Sequence, residues 1–97
     1  MSIRRSRFEI MLEVLAAVRG GEDKPTRIMY AVNLSWGPTS RMLFSLVEQG
    51  LLELRIASGR SRKRYVITER GVNVIDYFDK AQEILPKNVY SARVISS

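Results

Sequence analysis

The sequence predicts an α+β fold, mostly α, in which three helices lead into a hairpin and a final helix. Three observations predict it. Ser35-Trp-Gly-Pro-Thr-Ser-Arg41 runs into Leu43-x-x-Leu46-x-x-x-Gly50-Leu51-Leu52, the pattern of a helix with small polar and basic residues at its start, leucines at helical spacing and a glycine stop. Beyond it, Leu51 to Ile56 alternates as a half-covered strand would, and Arg64-Tyr65-Val66-Ile67 returns as its partner across the turn Ala57 to Arg62. Val74, Ile75, Phe78, Ala81 and Leu85 then recur at helical steps and stop before Pro86.

Each element has its own signal. Ser6-x-x-Glu9 is a capping box, and Met11, Val14, Leu15 and Val18 follow until Gly20-Gly21 ends the first helix. After the polar connection Glu22-Asp23-Lys24-Pro25, Thr26 is expected to cap a second helix through about Val32, with Ile28, Met29 and Val32 facing inward. Asn33-Leu34-Ser35 makes the turn. The third helix starts near Ser35 or Gly37, where Pro38 is tolerated because first-turn amides have no intrahelical partner to lose. Leu43, Leu46 and Val47 point to the core, and Gly50 supplies a left-handed C-terminal residue. Thr68 caps the last helix, whose apolar stripe exceeds what packing on so small a domain requires. The architecture is a winged helix-turn-helix: residues 1–67 form the winged unit, 68–86 a C-terminal dimerisation helix in the same compact unit, and 87–97 a tail, frayed or an added strand.

Composition narrows the chemistry. The 97 residues are 45% hydrophobic and 27% charged, enough for one folded domain and too apolar for a disordered chain. With no cysteine and no histidine, disulfides, thiolate nucleophiles, histidine bases and nearly all zinc sites drop out. Asp76 and Asp79 have no histidine, metal-ligand set or phosphate-cradling glycine loop beside them, so a solvated helix face explains them and no enzyme is expected. No cofactor and no metal are expected. The basic start Met1 to Arg7 is followed by apolar residues broken by Glu9 and Glu13, so neither a signal peptide nor a membrane span is read, and the expected location is cytoplasmic.

Charge placement points to a polyanion. Sixteen basic against ten acidic residues give +6, and residues 55–64 carry Arg55, Arg60, Arg62, Lys63 and Arg64 with no acid. Four cations within five positions repel one another unless a polyanion meets them, so Arg60, Arg62 and Lys63 at the hairpin tip are expected to contact a nucleic-acid backbone or minor groove. At the start of the third helix, the hydroxyls of Ser35, Thr39 and Ser40 are short enough to reach bases or phosphates in a major groove. Arg41 can bind guanine through two hydrogen bonds or hold a phosphate. Arg4, Arg5 and Arg7 either add phosphate contacts or form a solvated terminus. Phe44 is read as packing against the base of the wing in preference to insertion between bases, Trp36 as a hydrophobic staple from the third helix to the second in preference to a platform on the sugar-phosphate backbone, and Tyr30 as a core residue in preference to a contact.

Three segments, Thr26-Arg-Ile-Met-Tyr30-Ala-Val-Asn33-Leu34-Ser35, Leu43-x-x-Leu46-x-x-x-Gly50-Leu51-Leu52 and Tyr65-x-Ile67-Thr68-x-Arg70-Gly71, resemble the signature of small archaeal winged-helix DNA-binding proteins. The likeness is to the ten-kilodalton "ten-a" group of chromatin-associated or regulatory proteins, and it covers residues 3 to about 85. The resemblance implies a homodimer joined by C-terminal helices as an antiparallel coiled coil. This chain departs from that pattern at Pro86, which shortens the helix.

The expected function is therefore double-stranded DNA binding as a homodimer, nucleoid-associated, as a transcriptional regulator or an architectural chromatin protein. The third helix would enter the major groove and the wing lie on the adjacent backbone. A winged domain serving as a protein-interaction module in a larger complex is the alternative, and the basic wing argues against it. RNA binding is disfavoured because the stacking aromatics of the usual RNA modules are missing.

Overall fold

A computed structural model describes residues 5–57 and 62–84. They form α1 (Arg7–Arg19), α2 (Pro25–Val32), α3 (Trp36–Glu48), β1 (Leu52–Ala57), β2 (Arg62–Ile67) and α4 (Glu69–Ile84), the element order of a winged helix-turn-helix. Arg4, the hairpin tip with Arg60, the helix stop expected at Pro86 and the tail 87–97 lie outside the described residues.

The capping box forms as its sequence predicts. The Ser6 hydroxyl accepts from the Glu9 amide at 3.0 Å and the Glu9 carboxylate accepts from the Ser6 amide at 2.8 Å, satisfying two first-turn donors of α1. The start of α2 differs from expectation. Thr26 does not cap it; Pro25 occupies its first turn and Lys24 the cap, with no side chain bonded to the free amides. Proline's fixed φ and missing N–H suit that first turn, which displaces the boundary by a residue or two.

Three helices end in one motif. Gly21, Asn33 and Gly50 take positive φ (116°, 57° and 77°) just past α1, α2 and α3. The next amide closes back on the helix each time: Glu22 to the Ala17 carbonyl, Leu34 to Met29 and Leu51 to Leu46, at 3.0, 3.2 and 2.9 Å. Arg5 adds a clamp on the turn between α2 and α3. Its guanidinium pairs with Glu13 of α1 and donates to the carbonyls of Val32 (2.7 Å) and Asn33 (3.2 Å), so it is neither a phosphate contact nor a solvated end.

One core joins all the elements. Val14, Leu15 and Val18 of α1, Ile28 and Val32 of α2, Met42, Leu43 and Leu46 of α3, Leu51 and Leu52, Tyr65 of β2 and Ile75 of α4 are buried together. The strands pair antiparallel, with Leu52 opposite Ile67 and Leu54 opposite Tyr65 on the core side. A backbone bond from the Tyr65 amide to the Asp23 carbonyl (2.8 Å) fastens β2 to the α1–α2 connection, and burial pushes the Tyr65 phenol up from its ordinary pKa.

The hairpin's root is fixed to α4. The Thr68 hydroxyl lies 2.7 Å from the Gly50 carbonyl and 3.0 Å from that of Leu51, and it accepts from the Gly71 amide, capping α4 as its sequence predicts. Gly71 has no room for a side chain: a Cβ there would stand 2.3 Å from the Leu51 carbonyl. Arg19 of α1 reaches Asp76 (3.2 Å) and Asp79 (3.8 Å) of α4, so these carboxylates brace one helix on another.

Candidate nucleic-acid interface

α3 has two opposite stripes. Thr39, Met42, Leu43 and Leu46 recur at three- and four-residue steps and are buried. Half a turn away lie Gly37, Ser40, Arg41, Phe44 and Glu48, of which Ser40 is half-buried and the others exposed. Thr39 is thus not a groove contact. It is 0% exposed, and its hydroxyl donates to the Ser35 carbonyl at 2.9 Å. The side chain is enclosed and its one donor is used, which leaves nothing to offer a base.

The other expected residues of this helix remain at the surface. Ser35 is the N-cap residue, exposed, and its side chain makes no capping bond. Arg41 has no acid within ion-pair distance among the described residues, and one guanidinium nitrogen lies 3.6 Å from where a Cβ on Gly37 would sit. Its charge therefore rests over the first turn of α3, beside the helix end that a groove would receive.

Three aromatic residues do not follow their expected packing. Phe44 is 66% exposed on the outward stripe, where packing against the base of the wing would cover it. Tyr30, expected in the core, is 76% exposed, because Ile28 and Val32 one turn apart define the buried face of α2 and Tyr30 lies off it. Trp36 is 49% exposed in the first turn of α3, half covered where a staple would be enclosed.

In the hairpin the cations divide. Arg55 and Arg64 stand directly opposite each other, and each is answered by an acid: Glu53 for Arg55 at 3.2 Å, Asp23 for Arg64 at 3.1 Å. Arg62 and Lys63, further toward the tip, are exposed and have no such partner among the described residues. With Arg64 they line an open cleft of about 320 Å³ whose other wall is Lys24, Pro25 and Thr26. The wing cations therefore meet the uncapped N-terminus of α2, where free amides and the helix dipole also favour an anion. Lys24 belongs to this group and was not singled out by the sequence, since only folding places it beside residues about forty positions away.

Among the described residues no group of histidine, cysteine, aspartate or glutamate side chains is placed to hold a metal ion, and no helix is long and apolar enough to cross a membrane.

The family model described as winged helix-turn-helix matches residues 4–85. The chain belongs to the winged helix-turn-helix family. An uncharacterized protein of Methanocaldococcus jannaschii is 30% identical over 82 residues, 84% of this chain and 78% of that one. Sso10a-2, a DNA-binding protein from Sulfolobus solfataricus, superposes with a TM-score of 0.72 at 29% identity over 95% of this chain and 93% of its own. The expected likeness to small archaeal winged-helix proteins is borne out by these two relatives. The MepR–DNA complex of S. aureus shares the fold, with a TM-score of 0.69 at 15% identity over 90% of this chain and 74% of that one.

Proposed function

We propose that this winged helix-turn-helix protein binds double-stranded DNA as a homodimer, as a transcriptional regulator or an architectural chromatin protein. α3 lies in the major groove with Ser35, Ser40 and Arg41 toward bases and phosphates, and Arg62 and Lys63 lie on the adjacent backbone, joined by Arg60 of the tip. The observation that carries this reading is the division of the hairpin's cations: Arg55 and Arg64 are neutralised by acids, while Arg62 and Lys63 face the uncapped start of α2 with no acid paired to them among the described residues. Unpaired cations beside free amides are suited to phosphates. The DNA-binding relative from Sulfolobus solfataricus supports the same reading. No cofactor enters it, and a nucleoid-associated, cytoplasmic location follows from the partner.

The dimer is assigned to α4, the second part of a unit whose winged portion is residues 1–67. Tyr77 and Ile84 stand two turns apart on one side of α4 and are 69% and 80% exposed. An apolar stripe of this kind on a short helix is suited to a second copy of itself.

The test is sedimentation of the chain with and without a random-sequence duplex, at two salt concentrations. A protomer neutralising ~3 to 5 phosphates gives a dimer whose log affinity falls against log salt with a slope of about −5 to −9. Arg62→Ala with Lys63→Ala reduces that slope by about 2 for each protomer while leaving the sedimenting mass of the free protein unchanged. Binding that ignores salt, or an unchanged slope in the double variant, sinks the reading. Regulator and architectural roles separate by specificity: a regulator prefers its operator by ~10³ or more over random DNA.

A further inference from the structure

Phe44 is the one apolar side chain on the outward stripe of α3, one turn after Ser40 and Arg41, and two-thirds of it is exposed. The aromatic ring pairs of the described residues, Phe8 with Phe78 and Tyr77 with Phe78, lie elsewhere and leave it without one. The buried face of the same helix is already filled by Thr39, Met42, Leu43 and Leu46. An exposed phenyl ring in the middle of a stripe of Gly37, Ser40 and Arg41 is therefore not a core residue among the described residues.

What a helix can meet with such a ring in a major groove is narrow. Base edges there offer hydrogen-bond donors and acceptors, and one apolar group, the 5-methyl of thymine. Wedging between base pairs is the other known use of an apolar side chain on DNA, but those wedges enter from the minor groove. We propose that Phe44 is a specificity-determining residue that reads thymine methyl groups in the major groove, next to the base or phosphate held by Arg41. The inference rests on the DNA-binding reading above and adds a base preference to it: the chain favours thymine in the step under the second turn of α3.

The experiment is a cycle between protein and DNA. Wild-type chain and Phe44→Ala are titrated against two duplexes of one mixed sequence, the second carrying deoxyuridine at every thymine position. The wild type is expected to bind the thymine duplex tighter by about three- to fivefold for each methyl covered, the worth of one buried carbon. Phe44→Ala should bind both duplexes alike, at the affinity the wild type shows for the uracil one. Any preference the variant keeps reports the shape of the DNA, so the difference between the two proteins is the quantity that counts. Circular dichroism of Phe44→Ala should be unchanged, because the ring supports nothing in the core.

An equal preference in wild type and variant overturns the assignment, and so does a wild type that treats the two duplexes alike. Equal loss on both duplexes by Phe44→Ala, with the wild type bending the DNA, would mean wedging and overturns it too. A wild type that binds neither duplex defeats the DNA-binding reading itself, whereas tight binding with no methyl effect defeats only the role of Phe44.

Discussion

The two sides of α3 use the same thirteen residues for opposite purposes. Inward, Thr39, Met42, Leu43 and Leu46 are between 0% and 6% exposed and hold the helix against α1, α2 and β1. Outward, Gly37, Arg41 and Phe44 are exposed and Ser40 is half-buried, and none of them belongs to the buried core. A substitution on the inner side should thus change stability and leave the binding surface's chemistry intact, and one on the outer side should do the reverse. Arg41 and Leu43 are two positions apart in sequence and nearly opposite on the helix, so they put the separation to its sharpest test.

The largest expected effect is on the inner side. Leu43 is 1% exposed, and Leu43→Ala removes a buried isopropyl group between the helices, so it should destabilise the fold by about 2–5 kcal/mol. The check is chemical denaturation with an unchanged slope, together with DNA affinity measured well below the midpoint. A variant that is fully stable but fails to bind would break the division between the faces.

Next comes Arg41→Ala. It should leave the denaturation midpoint where it is and weaken binding several-fold. If Arg41 holds a phosphate, the loss is the same on every sequence and the salt slope falls by about 1 per protomer; if it reads guanine, the loss concentrates on duplexes with a guanine at that step. A shift in thermal midpoint with unchanged affinity would move Arg41 from the binding surface to the structural side of the ledger.

Local rules carried most of this fold. The Ser6–Glu9 box, the stops at Gly21 and Gly50, the turn at Asn33 and the Thr68 cap depend on residues within a few positions of one another, and each forms as the sequence predicts. What local rules could not reach was contact at long separation: Arg5 clamping the carbonyls of Val32 and Asn33, Asp23 neutralising Arg64, and Lys24 joining the wing cations. The misplacement of Thr39 is of another kind, because its signal was present. It precedes Leu43 by four and Leu46 by seven, the spacing of the buried stripe, whereas Phe44 follows Ser40 by four and Gly37 by seven, the spacing of the exposed one. Reading a helix tip as polar all round hid a periodicity that separates its two sides. Tyr30 was lost the same way, two positions from Ile28 and two from Val32.

Thr39→Val gives the smallest effect and the most direct check of that periodicity. The substitution keeps a β-branched side chain in the buried stripe and removes the hydroxyl that donates to the Ser35 carbonyl. That carbonyl also accepts from the Thr39 amide at 3.2 Å, so it is not orphaned when the hydroxyl goes. The cost should therefore be that of one net hydrogen bond, about 1 kcal/mol or less, and not the larger penalty of an unsatisfied buried group. DNA affinity and salt slope should not move, since the side chain is fully enclosed. Were Thr39→Val instead to weaken DNA binding with its stability intact, the hydroxyl would have to turn outward in the complex, and the inner stripe of α3 would begin at Met42 rather than at Thr39.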